Sequence, residues 1–317
     1  MPDSPFIAAA VQHPPVFLDL AASIEKACLL TAEAAACGAR LVAFPETWLP
    51  GYPLWLDFSP GAALWNHSPA KELFSILWNN SVALDSPELD RLAEAARSHG
   101  CIIVMGAHER MGSTLYNSIL YFTPDQGLAG VHRKLMPTYT ERMIWGMGDG
   151  STLTVLDTPH GRIGGLISWE HWMPLARAAM HASQELVHVA QWPMVKEMNL
   201  VASRQYAFEG QCYVLACGQT ITREEVLNGP GRGNEVLESM PGAGLMHRGG
   251  SAIIAPNGDL LAGPLMDRTG ILTAEIDPAH CVEGRMYLDV NGHYSRPDVF
   301  RLEVNRRPLE SVVSGSS

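Results

Sequence analysis

Apolar runs along this chain are short, and they alternate with stretches of helical spacing. Residues 6–11 form one such run and predict a strand. Asp19 is a candidate N-cap for a helix reaching about Cys37, with Leu20, Ile24, Ala27 and Thr31 on one face and Gly38 as its stop. Residues 41–44 predict a second strand, which ends in Pro45-Glu46. Ser86-Pro87 opens another helix, with Leu89, Leu92, Ala93 and Ala96 on its face and Gly100 past its end. Residues 102–107 and 115–122 predict two further strands.

The second half repeats the style. Residues 153–156 and 162–167 read as strands joined by the turn Thr158-Pro159-His160-Gly161. A helix is expected over 174–184, a strand over 186–190, a helix over 200–209 and a strand over 213–217. Residues 251–255, the turn Pro256-Asn257-Gly258-Asp259 and the run from Leu260 read as a hairpin, and 271–276 as the last strand. Residues 224–250 are rich in glycine and lack periodicity, which predicts a long loop over the site or at an interface. Strands without strict alternation imply sheets covered by helices on one face and by another apolar layer on the other. Alternating strands and helices favour α/β layering. No linker divides the chain, so one domain is expected over 1–308, with 309–317 as a mobile tail.

Composition narrows the partners. Of 317 residues, 47% are hydrophobic and 17% charged, enough for one large core. A formal net charge of -11, without any basic run, argues against nucleic acid or an anionic membrane surface. Met1 is followed by Pro2, Asp3 and Ser4 rather than a basic leader, and no apolar run approaches the roughly 20 residues of a membrane helix. A soluble, cytoplasmic protein is expected. The six cysteines are scattered, without zinc-type spacing, and predict buried free thiols.

Three polar residues follow strand-like runs: Glu46 in Phe44-Pro45-Glu46, Lys134 in Arg133-Lys134-Leu135-Met136-Pro137-Thr138, and Ser168 in Ile167-Ser168-Trp169-Glu170-His171. Strand ends are where sites collect in α/β proteins. A carboxylate, an ammonium and a hydroxyl could act as base, acid and nucleophile, although any one of them alone is more often a surface or satisfied polar group. Their flanks add much more. Those three motifs, together with Tyr139-Thr140-Glu141-Arg142, Trp172-Met173-Pro174-Leu175, His188-Val189-Ala190-Gln191-Trp192-Pro193 and Gly292-His293-Tyr294-Ser295-Arg296-Pro297-Asp298, resemble the nitrilases of the carbon–nitrogen hydrolase superfamily over nearly the whole chain. The last motif is typical of true nitrilases rather than of the amidase and carbamoylase branches.

The resemblance implies a four-layer αββα sandwich, two sheets flanked by helices. It also implies a homodimer that extends to a higher homo-oligomer or spiral. It makes Glu46 the general base, Lys134 the cation that supports the tetrahedral state, Ser168 the nucleophile position, and Glu141 a second glutamate that positions substrate and holds Lys134. The backbone N–H of Trp169 is expected to share in stabilising the negative nitrogen or oxygen. The reaction implied is nitrile to carboxylic acid and ammonia through a thioimidate and a thioester, with no metal or organic cofactor. Trp48, Tyr52, Trp169, His171, Trp172 and Trp192 adjoin the motifs and are expected to shape the substrate pocket, which suits an aryl or arylaliphatic nitrile. Asn117 is a candidate to face the site, with a turn role equally open. His293 and Arg296 are expected to be structural.

Ser168 departs from the family, which keeps cysteine there. A thiol is a few per cent thiolate at neutral pH, and a serine hydroxyl without a histidine partner is far weaker. The expectation is an inactive chain. An engineered Cys→Ser change explains it better than natural decay, because the neighbouring motifs are intact. Rivals fare worse. An α/β-hydrolase elbow needs Gly-x-Ser-x-Gly, and Leu166 and Glu170 stand in its glycine positions. The 12 histidines show no His-Glu-x-x-His pair. Within the superfamily, an amidase or a cyanide or nitrile hydratase-like member is the close alternative. A non-catalytic assembly protein is the remote one.

Overall fold

The computed structural model describes residues 4–310, and from Ser311 onward the expected tail lies outside the described residues. Alanine-rich β1 (Phe6–Gln12) shows how the layers form. Ala8 and Ala10 face inward to the opposing sheet, while Ala9 and Val11 face helices. Such small residues on alternate faces let a strand be covered on both sides. Around β1 lies a six-stranded sheet in the order β13-β1-β2-β3-β4-β5, with β2 (Ala39–Ala43), β3 (Ile102–Met111), β4 (Thr114–Thr123), β5 (Gly127–Arg133) and β13 (Gly270–Ile276). β1, β2 and β3 pair in parallel.

The second sheet has seven strands: β6 (Val155–Thr158), β7 (Gly161–Ile167), β8 (Val187–Gln191), β9 (Tyr213–Cys217), β10 (Thr220–Thr222), β11 (Leu245–Ile254) and β12 (Leu260–Met266). β7, β8 and β9 are parallel. The sheets meet through one apolar layer, Leu41, Val104 and Ile119 against Ile163, Val189 and Leu215. Helices α1 (Leu20–Ala36) and α4 (Asp90–His99) cover the first sheet, and α5 (Pro174–His181) and α6 (Glu197–Gly210) the second. This is the four-layer α/β sandwich.

Local signals explain the boundaries. Asp19 accepts from Ala22 N at 3.0 Å and caps α1, and Gly100 ends α4 with φ +58°. α2 (Trp55–Phe58) and α3 (Ser68–Asn79) occupy a stretch without a sequence assignment. The expected loop over 224–250 is corrected: it holds α7 (Arg223–Leu227), α8 (Glu235–Glu238) and the start of β11. Thr222 and Glu225 form a capping box on α7, Asn234 caps α8, and Val226, Val236 and Leu237 bury against Phe17, Leu73 and Leu77. The last helix among the described residues, α9 (Pro278–Gly284), follows β13. α5 stops at His181 rather than at 184, and α6 starts at Glu197, three residues early.

All six cysteines are free. Cys101, Cys212, Cys217 and Cys281 are buried, Cys28 is half-buried and Cys37 exposed. No helix among the described residues is long and apolar enough to cross a membrane.

Candidate active site

Glu46 and Ser168 lie just past the ends of parallel strands, β2 and β7, in different sheets. Lys134 lies just past β5. The loop bearing Glu46 is laid flat on β3. Phe44 N donates to Val104 O at 2.8 Å, and Leu49 N to Gly106 O at 2.9 Å. Gly106 makes this possible, since a Cβ there would stand 2.0 Å from Pro45 O and 2.6 Å from Thr47 N.

Lys134 is the centre of the polar cluster. Its Nζ donates to Glu46 Oε1 at 2.9 Å and to Glu141 Oε2 at 2.7 Å. Asn117 Nδ2 donates to Glu46 Oε1 at 2.7 Å, Tyr52 donates its hydroxyl to Glu141 Oε1 at 3.0 Å, and Thr138 N donates to Glu141 Oε2 at 2.6 Å. Gln219 Nε2 holds the Glu46 main-chain carbonyl. The exposures are 0% for Glu46, 1% for Lys134, 3% for Glu141 and 2% for Ser168. Ions this deep need partners, because an unpaired buried charge is strongly destabilising. Burial pulls the Lys134 ammonium down, yet the two carboxylates hold it above its ordinary range, so it is a cation. Burial pushes the Glu46 carboxyl up to about 7 against the pull of Lys134. Its Oε2 has no hydrogen-bond partner. A free oxygen on a carboxyl poised near neutrality is equipped to take a proton from water.

Ser168 opens a 3-10 turn, Ser168–Trp172, in the left-handed region at φ +53°. The turn is pinned from within. Glu170 accepts from Ile167 N at 2.6 Å, and His171 Nδ1 donates to Ser168 O at 2.7 Å. Ser168 and Glu141 line a cavity of about 980 Å³, together with Tyr52, Trp169, Trp172 and Trp192. Lys196, Asp57 and His247 add polar groups to its wall.

The structure therefore brings Glu46, Lys134 and Glu141 into contact and puts Ser168, Tyr52, Trp169, Trp172 and Trp192 on one cavity. Two expected pocket residues are corrected. Trp48 is wholly buried, edge-on to Phe44, with its Nε1 donating to His13 O at 2.7 Å. His171 lies behind the wall, stacked on Trp192 with ring centroids 4.9 Å apart. Asn117, for which a turn role was equally open, lies mid-strand in β4 and contacts Glu46. Sequence reasoning missed the parts of His132, Glu170, Glu185, His188 and Gln219. Glu170 and His188 sit inside quoted motifs, so a signal was present for those two. His293 bonds to Arg285 O at 2.9 Å and Arg296 pairs with Asp298 at 2.7 Å, both exposed. Among the described residues, no group of three or more His, Cys, Asp or Glu is arranged to hold a metal.

Comparison with known proteins points the same way. Residues 7–286 match the carbon-nitrogen hydrolase family. An aliphatic nitrilase of Sinorhizobium fredii (strain HH103) is 41% identical over 98% of this chain and 98% of its own. A bifunctional nitrilase/nitrile hydratase of Lupinus angustifolius is 38% identical over 98% of this chain and 89% of its own. In fold, the chain is similar to a carbon-nitrogen hydrolase from Helicobacter pylori G27, with a TM-score of 0.69, 19% identity and coverage of 90% of this chain and 94% of that one.

Proposed function

The chain belongs to the carbon–nitrogen hydrolase family, in its nitrilase branch, and from that premise we propose that its site hydrolyses an aryl or arylaliphatic nitrile to the carboxylic acid and ammonia. The observation that carries the reading is Lys134, buried between Glu46 and Glu141 behind a cavity that Ser168 lines.

With a thiol at position 168, sulfur adds to the nitrile carbon and the thiol proton passes to nitrogen, giving a thioimidate. Water then adds to that carbon while Glu46 takes its proton. Both protons of that water reach the nitrogen by way of Glu46, the nitrogen leaves as ammonia, and a thioester remains. A second water, again deprotonated at Glu46, releases the acid, and Glu46 returns the proton to sulfur to restore the thiol. Lys134 faces the developing charge each time. A hydroxyl lacks the thiolate fraction that starts the sequence. His171, the histidine nearest in sequence, cannot supply a base, because its Nδ1 faces the Ser168 carbonyl and its Nε2 faces His188. We read the chain as inactive or nearly so, and Ser168 as an introduced replacement, since Glu46, Lys134 and Glu141 are all in place.

The rings of Tyr52, Trp169, Trp172 and Trp192 on the cavity support an aromatic substrate. Trp172→Ala should lower the aromatic-to-aliphatic rate ratio, and an unchanged ratio removes that residue from the reading. Exposed Met286, Tyr287, Tyr294 and Phe300 along the C-terminal segment support the expected homo-oligomer, which sedimentation would test.

The deciding measurement is ammonia and amide release from aryl, arylacetic and aliphatic nitriles, run on this chain and on Ser168→Cys. Acid and ammonia from the cysteine form alone carry the proposal. Amide as main product favours a hydratase-like enzyme, and silence from a folded Ser168→Cys form favours a non-catalytic role.

A further inference from the structure

Behind the cavity wall, a line of buried polar side chains runs from α6 to the nucleophile position. Tyr206 donates its hydroxyl to Glu185 Oε2 at 2.5 Å. Glu185 Oε1 meets His188 Nδ1 at 2.9 Å. His188 Nε2 lies 3.0 Å from His171 Nε2, and His171 Nδ1 lies 2.7 Å from the carbonyl oxygen of Ser168. None of the four side-chain residues is more than 2% exposed. His188 stacks on Tyr206 with centroids 3.7 Å apart. β7 is bare where the carboxyl lies against it: a Cβ at Gly164 would stand 2.1 Å from Glu185 Oε1. The fold makes room for this carboxylic group in a place where burying one is costly.

The direction of each hydrogen bond follows from what each atom can do. A carbonyl oxygen only accepts, so His171 Nδ1 carries a hydrogen. In a neutral ring, His171 Nε2 is then an acceptor, and His188 must donate from Nε2. A neutral His188 thus turns a bare Nδ1 toward Glu185, and one further proton must lie between that nitrogen and Oε1. Burial pushes Glu185 up to about 7 and His188 well down, so this proton sits on the carboxyl. If it is removed, Glu185 can only accept. His188 then donates from Nδ1, His171 donates from Nε2, and a bare His171 Nδ1 is left facing the Ser168 carbonyl. A proton lost at Glu185 is felt as a hydrogen bond lost at position 168.

We propose that Tyr206, Glu185, His188 and His171 form a positioning relay for the Ser168–Trp169 peptide, fixing and polarising it so that the N–H of Trp169 donates to the charge that develops on the substrate. The inference rests on position 168 being the nucleophile. The peptide is planar, so holding its C=O also aims its N–H to the opposite side. A hydrogen bond at the C=O strengthens the N–H as a donor. Trp169 lies in the first turn of the 3-10 segment, where an N–H has no partner inside the segment, and it lines the cavity. Other titratable groups face the relay. Arg177 and His181 come from α5, Glu209 and Cys212 from α6 and the turn beyond it. His132, Glu170 and Tyr121 approach from the strand ends and the first sheet. None of them interrupts the four hydrogen bonds, and His132 and Glu170 are paired with each other.

Nuclear magnetic resonance of the ring nitrogens, on isotope-labelled histidine in the protein with Ser168 in place, tests the relay without any need for activity. His171→Asn and His188→Phe assign the signals. Between about pH 6 and about pH 9, the hydrogen on His171 should move from Nδ1 to Nε2. In Glu185→Gln it should stay on Nδ1, because the carboxamide donates to His188 and does not titrate. In the Ser168→Cys background, Glu185→Ala should lower kcat about tenfold to a hundredfold, with KM little changed. Glu185→Gln should rescue that loss and flatten the alkaline limb. A His171 tautomer that is constant over this range, or an alkaline limb that Glu185→Gln leaves as it was, overturns the relay. A tautomer change in a protein whose Ser168→Cys form is inert upholds the relay and overturns the reading of position 168.

Discussion

His132 and Glu170 form a fully buried pair, 2.9 Å apart, that joins the segment carrying Lys134 to the segment carrying Ser168. The same carboxylate accepts from Leu135 N at 2.7 Å, one residue past Lys134, and from Ile167 N at 2.6 Å, one residue before Ser168. His132 Nδ1 donates to Thr152 O at 2.8 Å. Burial would pull His132 down, but Glu170 holds it above its ordinary range. Burial would push Glu170 up, but His132 and the two backbone donors hold it below. β5 and β7 belong to different sheets, so no ladder of strand hydrogen bonds sets their spacing at the site. Glu170 sets it.

Glu170→Gln would turn an amide N–H toward one of these donors. In the Ser168→Cys background, kcat should fall about a hundredfold from misplacement of the two catalytic segments. Unfolding free energy should fall by about 3 kcal/mol, since a buried pair is broken from one side. Ammonia release and denaturant unfolding check the two halves. Unchanged kcat would mean that the segments are registered by something else.

Lys134→Met should abolish turnover and make stability depend on pH. Without the cation, Glu46 and Glu141 face each other in a dry site, and the Glu46 carboxyl, already raised by burial, loses the pull of Lys134 and rises further above its unfolded value. A raised carboxyl costs nothing while protonated and destabilises as pH climbs through its folded value. The urea midpoint of the variant should therefore lie near the parent's at about pH 5 and fall away toward about pH 8. A gap that narrows as pH rises would contradict the pairing.

Glu46 must be ionised to take a proton from water. The Ser168→Cys form should gain activity as pH rises through about 7, where burial sets this carboxyl. Asn117 donates to Glu46 and pulls its pKa down. Asn117→Leu should move the acid limb to higher pH, and a limb that moves lower would remove Glu46 as the base.

Gly106→Ala is a small change with a large expected effect. The new Cβ would displace Pro45 O and Thr47 N, and with them the loop bearing Glu46. A loss of about 2 kcal/mol is expected from overpacking, with activity lost alongside. Full activity in a destabilised protein would show that Glu46 does not depend on this contact.

Much of the site was legible because its signals are contiguous. Phe44-Pro45-Glu46 and Ile167-Ser168 are strand ends readable from one window of sequence, and Asp19 and Gly100 mark helix ends by their own chemistry. Short elements were not legible. α8 has four residues and α7 five, too few for a period to show, and Gly249 and Gly250 break the pattern of β11. β5 was obscured by Gly127 and Gly130, where a Cβ at Gly130 would stand 2.9 Å from Thr154 Cγ2. α3 carried a usable signal, Ser68-Pro69 at its start with Leu73 and Leu77 four apart. Nearness in sequence misled at Trp48, two residues from Glu46, because its partner His13 lies 35 positions away. The relay through Glu185 and Tyr206 spans separate elements, so no local pattern could contain it.

Ser168 holds a backbone conformation that an L-residue adopts at a cost of about 1 kcal/mol and that glycine adopts freely. The position most needed for chemistry is thus one where the chain would be more stable without a side chain. Variants chosen only for resistance to heat would drift toward glycine there. Robustness and reactivity pull this sequence in opposite directions, and a library of this fold should be screened for both together.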